Sequence, residues 1–229
     1  MVDEIRNDSI VKKQLPYNIS DVKSGNFDAV SLFSVNSYKS TFEIKEPEQK
    51  RTEAEKLHES WDNVVGGLSQ EFFDEIEAMS KRLMCKPEDL AALIYGESRF
   101  SPKSADGQGH NGIIQMDNYS LKKSIEYSLK HDKQNSKLDK DMNMSDFVKL
   151  SKEEQLPYAE AYLNLMKDEC GLKGKKLSGG KLWGLIKSPR LTKSNNQEFF
   201  KKLEHQLDSI KDIPLKYEIP FYIKRNPDE

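Results

Sequence analysis

Little cysteine, no surplus of charge of either sign and no long apolar run: each lack closes off a class of function. The two cysteines, Cys85 and Cys170, are too far apart for a C-x-x-C metal or redox pair and too few for a disulfide scaffold. They read as two semi-buried thiols. His58, His110, His131 and His205 are scattered, with no H-x-x-x-H pair and no Cys/His cluster, so no metal and no other cofactor is expected. The net charge is −2, with Lys and Glu interspersed. That leaves no basic stripe for nucleic acid or an anionic membrane surface. No stretch has the apolar length of a membrane span. The opening "MVDEIRNDSIVKKQLPYNIS" mixes acids and bases before any apolar run, unlike a secretory leader, so a chain made in the cytoplasm is expected.

What is present is polar and helical in pattern. The hydrophobic fraction is 36% and the charged fraction 32% of 229 residues, which suits a helical domain with solvated faces. Residues 1–55 read as a polar arm or docking segment with one apolar patch at Phe27 to Val35. Residues 56–212 read as the folded domain. Ser69 is a candidate N-cap for a helix carrying Phe72, Ile76, Met79 and Leu83. Pro87, Glu88 and Asp89 suit the first turn of the next. Further helices are expected from about Ser120, with Leu121, Ile125 and Leu129, and around "SDFVKL". Others follow after the Ser151/Glu154 capping box, where Pro157 starts or kinks the helix, over "SGGKLWGLIKSP", and over "NNQEFFKKLEHQLDSIKD". Residues 213–229 alternate Leu215, Tyr217, Ile219, Phe221 and Ile223 and read as an extended edge segment.

One acidic residue stands out. Leu90, Leu93, Ile94 and Glu97 share one helical face, so a carboxylate ends a stripe otherwise made of Leu and Ile. Desolvation there would raise its pKa, as a general acid working near neutral pH requires. The competing reading is that the helix frays and Glu97 faces water. After a Gly-bearing loop comes "GIIQM", Gly112 to Met116, which by itself reads as a buried strand.

Together, "ALIYGESRFSP" and "GIIQM" resemble the soluble lytic transglycosylase domain of the lysozyme-like superfamily. Glu97-Ser98 is similar to the family's Glu-Ser at the end of its catalytic helix. Gly112-Ile113-Ile114-Gln115-Met116 is similar to its Gly-Leu-Met-Gln-Ile motif, and the spacing agrees. The likeness is strongest over residues 85–116 and weaker through "QLPYAEAYLNLM" and "KLSGGKLWGLIKSPRL", which look like domains of phage particles. It implies a mainly α, lysozyme-like α+β fold, with a small irregular or β loop region beside the catalytic helix. It also implies cleavage of the MurNAc-GlcNAc β-1,4 bond of peptidoglycan by one glutamic acid. On that likeness Glu97 is the acid and base, Ser98 fixes the helix end, Gln115 lines the sugar groove with Met116 beside it, and Tyr162 sits near the glutamate. A core role for Tyr162 is the plainer alternative.

Two departures qualify the likeness. The usual Ala-Tyr-Asn-Ala-Gly motif is missing, and Asp106 stands where many members carry a small hydroxyl residue. Asp106 is either a second carboxylate at the cleft, which would favour hydrolysis, or a loop-stabilising residue beside Gly107. The alternatives to a transglycosylase are a non-catalytic lysozyme-fold adaptor and a lysozyme- or chitinase-like hydrolase. The implied partners are glycan strands and, through the two chain ends, components of a secretion machine or phage particle. Action in the periplasm or cell wall after delivery by such a machine is expected.

Overall fold

The computed structural model describes residues 51–131 and 138–217. The arm through residue 50, its apolar patch, and the alternating run after Tyr217 lie outside the described residues. These are mainly helical: α1 (Glu53–Val65), α2 (Gln70–Leu83), α3 (Pro87–Ser98), α4 (Asn118–His131), α5 (Met144–Phe147), α6 (Lys152–Glu169), α7 (Gly179–Lys187), α8 (Pro189–Lys193) and α9 (Gln197–Tyr217). Among them no helix is long and apolar enough to cross a membrane.

The caps behave as the sequence suggests. Ser69 accepts from the Phe72 amide, Ser151 and Glu154 form a reciprocal capping box, and Pro87 opens α3 where its missing N–H costs nothing. Pro157 lies inside α6 and does not start it. Helix α1 was not anticipated, although Thr52 and Glu55 form a capping box at its start.

Two extended readings give way to other geometry. Gly112–Met116 is a tight turn and not a strand. Ile113 and Ile114 are fully buried, but Gly112 (φ 81) and Gln115 (φ 55) are left-handed, which breaks the pleat a ladder requires. Its β pairing among the described residues is limited to isolated bridges, Ala105 with Asn111 and Asn111 with Met116. At the other end, α9 runs on through Tyr217 with Pro214 inside it. Leu203, Leu207, Ile210 and Pro214 continue one buried or half-buried face at helical spacing, so the helical period outlasts the point where an alternation seemed to begin.

The core forms around α3. Leu90, Ala91, Ala92, Leu93 and Ile94 are fully buried and Tyr95 nearly so, which marks a helix covered on all sides and not a surface helix with one apolar stripe. Helices α1, α2, α7 and α9 cover it. On one side Trp61 of α1 packs on Tyr95 with ring centroids 4.5 Å apart and edge-on to Phe100 at 5.3 Å. Such aromatic contacts add to the area they bury.

On another side α7 lies close against α9 and α8 because glycine lets it. A Cβ on Gly180 would sit 2.3 Å from the Phe200 carbonyl oxygen, and one on Gly184 would sit 2.6 Å from Thr192 Oγ1. The N-terminal end of α3 is closed by an ion pair from α9, Lys211 Nζ to Asp89 Oδ1 at 2.8 Å, with the Asp89 side chain 3% exposed.

Because the atom facing Gly180 is backbone, it cannot swing aside. Gly180→Ala is expected to cost about 3 kcal/mol or more, read as a lower urea midpoint at unchanged slope. Wild-type stability in that variant would show that α7 does not seat on α9 as closely as described.

Candidate functional site

The C-terminal end of α3 is the one place where this buried helix meets a cleft. Gly96 makes this geometry: a Cβ there would lie 2.9 Å from Ile210 Cδ1 and 3.4 Å from the Trp183 ring. Without it, α7 brings Trp183 against the last turn of α3. Directly after Ser98, Arg99 (φ 56) and Phe100 (φ 60) are both left-handed. Consecutive non-glycine residues there are strained. The burial of Phe100 among Trp61, Phe72, Phe73 and Tyr95 and the stacking of Arg99 over Tyr95 at 4.5 Å offset that cost. The result is a sharp reversal that folds the loop 101–117 back over the helix end.

Gln155 of α6, fully buried, holds that loop from below. Its Nε2 donates to the carbonyls of Pro102 (3.0 Å), Phe147 (3.2 Å) and Leu150 (3.4 Å), and its Oε1 accepts from the Ile113 amide at 3.0 Å. Gly112 passes so close that a Cβ would meet Gln155 Oε1 at 2.7 Å and Phe147 at 2.5 Å. One amide thus ties three chain segments to the turn.

The cleft so formed has a volume of about 400 Å³. It is lined by Gly96, Glu97, Asp106, His110, Gln115, Asp117, Ser120, Tyr162, Ile186 and Lys187, and is large enough for a sugar unit and its neighbours. Glu97 remains helical, and its side chain is 5% exposed, so the frayed, water-facing alternative does not apply. The carboxylate is paired. Trp183 Nε1 donates to its Oε1, while Lys187 Nζ straddles both oxygens at 2.8 and 3.0 Å. A nearly buried carboxylate needs such partners.

A second wall of the cleft carries the loop. Asp106 Oδ1 accepts from the Gln108 and His110 amides at 2.7 and 3.1 Å, and its Oδ2 meets His110 Nδ1 at 2.6 Å. Chiefly the Gln108 amide, with the His110 ring adding to it against some desolvation, holds the Asp106 carboxyl below its ordinary range. Burial pushes the Asp117 carboxyl up, but the Ser120 amide and hydroxyl and nearby His110 outweigh it, leaving that group lowered as well. Burial raises the Tyr162 phenol, against a bond with Ser120.

Of the residues singled out in the sequence, Glu97, Asp106, Gln115 and Tyr162 line this cleft together. Ser98 and Met116 do not: Ser98 Oγ donates to the Ile94 carbonyl of its own helix, and Met116 is 1% exposed within the core. Gln115 lines the cleft and spends its amide nitrogen on the Ser104 and Gly112 carbonyls (3.1 and 2.9 Å). Sequence reasoning missed Trp183 and Lys187. Their signal was i,i+4 spacing on α7, on the same face as Gly180 and Gly184. His110, which the sequence marked as a departure from the family pattern but not as a site residue, also lines the cleft.

Other features offer less chemistry. A groove of about 420 Å³ between α2 and α6 is walled by Glu71, Glu75, Glu153 and Glu154, but Glu75 pairs with Arg82, Glu153 accepts from Ser69, and Glu154 caps α6. The Cys85 thiol is pushed up to about 12, foremost by burial, so it is no nucleophile at neutral pH. Among the described residues no group of His, Cys, Asp and Glu could hold a metal ion. Comparisons with family models, curated proteins and solved structures find no match to this chain.

Replacing Gln155 by Leu keeps the volume but strands the Ile113 amide and the carbonyls it served. A loss of about 3 kcal/mol is expected, with the Ile113 amide losing hydrogen-exchange protection first; an unchanged midpoint and unchanged protection would refute the bridging role. The Asp106 bonds carry their own pH dependence. Its pKa is lower folded than unfolded, so their stabilisation is full above the unfolded value of about 4 and disappears as pH falls through the depressed folded value. Protection factors at Gln108 and His110 should drop in that acid window. In Asp106→Asn, which keeps an oxygen acceptor for both amides but no titrating carboxylate, the drop in that window should be absent.

Proposed function

We propose that the chain is a peptidoglycan-cleaving enzyme with a lysozyme-like fold, a lytic transglycosylase that breaks the MurNAc-GlcNAc β-1,4 bond with Glu97 as its acid and base. The observation that carries this reading is the position of Glu97: a carboxylate, nearly buried at the end of a core helix, lining a cleft with Gln115 and Tyr162. In the first step Glu97 gives its proton to the glycosidic oxygen, the C1–O bond breaks, and the GlcNAc alcohol leaves. The muramoyl C1 then carries oxocarbenium character, which the substrate's own N-acetyl group can share. In the second step the muramoyl 6-hydroxyl attacks C1 and returns its proton to Glu97. The product is the 1,6-anhydro sugar, and no water is consumed.

One carboxyl group serves both steps, so no partner at the spacing of a paired-carboxylate glycosidase is required. Trp183 fixes the rotamer of that group. Lys187 must be drawn off the carboxylate before a proton can be delivered. The reading places the work of the chain in the cell wall. It leaves contacts with a delivery machine to the two chain ends.

A hydrolytic variant has one specific observation behind it, the Asp106–His110 pair on the second wall. Both Asp106 oxygens are already committed to the loop and to His110. Within that pair His110, with Nδ1 toward Asp106, is therefore the group whose free Nε2 could take a proton from water. Water attack yields a reducing end in place of an anhydro end.

Mass spectrometry of soluble products from purified peptidoglycan decides among these readings. Anhydro-muropeptides are expected from wild type. Glu97→Gln, which keeps an acceptor for Trp183 but no acidic proton, should lower the rate about a thousandfold with the helical circular dichroism unchanged. Undiminished cleavage by that variant would sink the assignment; reducing-end products would move it to the hydrolase. No products from folded wild type would leave the non-catalytic adaptor.

A further inference from the structure

Lys187 is an odd neighbour for a proton donor. Among the described residues its only ion-pair partner is Glu97, and the proposed reaction neutralises that partner once per turnover. The ammonium has two further holds beside the cleft. Its helix ends at Lys187, where the carbonyl end of α7 favours a cation, and its Nζ lies 5.5 Å from the Trp183 ring centroid. The side chain is 43% exposed and lines the cleft. The other carboxylates of the cleft are committed elsewhere, Asp106 to its loop and His110, Asp117 to the Ser120 amide at 2.6 Å. Half-exposed, an ammonium left in the cleft without its counter-ion is available to another anion.

We infer that Lys187 is an anion-reading residue: it exchanges Glu97 for a carboxylate carried by the glycan, so that a negatively charged substrate both docks and releases the acid. The inference rests on Glu97 being that acid. The ligand chemistry is a carboxylate near the scissile bond, which a peptidoglycan strand supplies from either the lactyl group of a peptide-free muramoyl unit or a stem peptide. If the lactyl group is the source, an amide-hydrolysing reaction must first strip the stem and supply this substrate.

The test compares peptide-free MurNAc-GlcNAc strands with the same strands methyl-esterified, and peptide-bearing strands with their esterified form. Wild type, Lys187→Met and Lys187→Arg are assayed on each. Wild-type kcat/KM is expected to fall about tenfold or more on esterification in one of the two pairs, and that pair identifies the source. Lys187→Met should treat acid and ester alike, and Lys187→Arg should recover part of the preference. Wild type indifferent to esterification in both pairs, or Lys187→Met retaining the preference, overturns the inference.

Equilibrium binding to Glu97→Gln separates this from the catalytic reading, since that variant strips Lys187 of its counter-ion without turnover. Carboxylate strands binding it at least about tenfold more tightly than their esters support the anion site even if wild type cleaves nothing. Equal binding argues against it even if wild type is active.

Discussion

Burial of α3 on every side is the constraint on which the rest of the structure depends. A helix with no solvent face can present chemistry only at its ends. Its N-terminal end is closed by the Asp89–Lys211 pair and by Gly179, whose Cβ would meet Asp89 at 3.1 Å. Its C-terminal end is left open, and Glu97 is the polar side chain that the last turn sends into the opening. In that low-dielectric setting a carboxylate is tolerated only with partners. Trp183 and Lys187, one turn apart on α7, supply them.

Glycine sets the distances. Gly180 and Gly184 seat α7 on its neighbours, and Gly96 admits Trp183 to the end of α3. Each gives up helix propensity, on the order of 1 kcal/mol relative to alanine, for a close approach no other residue permits. On the loop side the equivalent device is Gln155, a buried amide with its polar atoms satisfied. A fully connected polar group of this kind rigidifies its surroundings, whereas a half-satisfied one destabilises them. The α7 glycines and the α6 glutamine therefore fix the two walls of one cleft from opposite sides of the sequence.

Helices with strong caps and periodic apolar faces were legible in the sequence, but the stripe left Glu97 open between a covered position and a frayed, water-facing helix end. Helix α1 was overlooked because its buried residues, Ala54 and Trp61, are too sparse to make a stripe, and only the Thr52/Glu55 box announced it. The turn at Gly112–Met116 looked like a strand because burial of Ile113 and Ile114 is common to both, and periodicity cannot see the left-handed φ of Gln115. The end of α9 looked extended because Leu215, Tyr217 and Ile219 begin an alternation, yet the helix runs through Tyr217 with Pro214 inside it. Trp183 and Lys187 are distant from Glu97 in sequence, and no local pattern could join them to it.

The two partners of Glu97 differ in what they do when it changes charge. The indole N–H of Trp183 is neutral, so it can bond a carboxylate oxygen or the carbonyl oxygen of the protonated acid and hold the same rotamer throughout. The ammonium of Lys187 has no such indifference: beside a neutral acid it loses most of its attraction and gains from any other anion within reach. Its half-exposed head makes that exchange inexpensive, because water already screens and solvates it. Geometry is thus entrusted to the buried neutral donor and response to the exposed charged one. On the proposed reading, a cleft built this way is unlocked by the charge of what enters it.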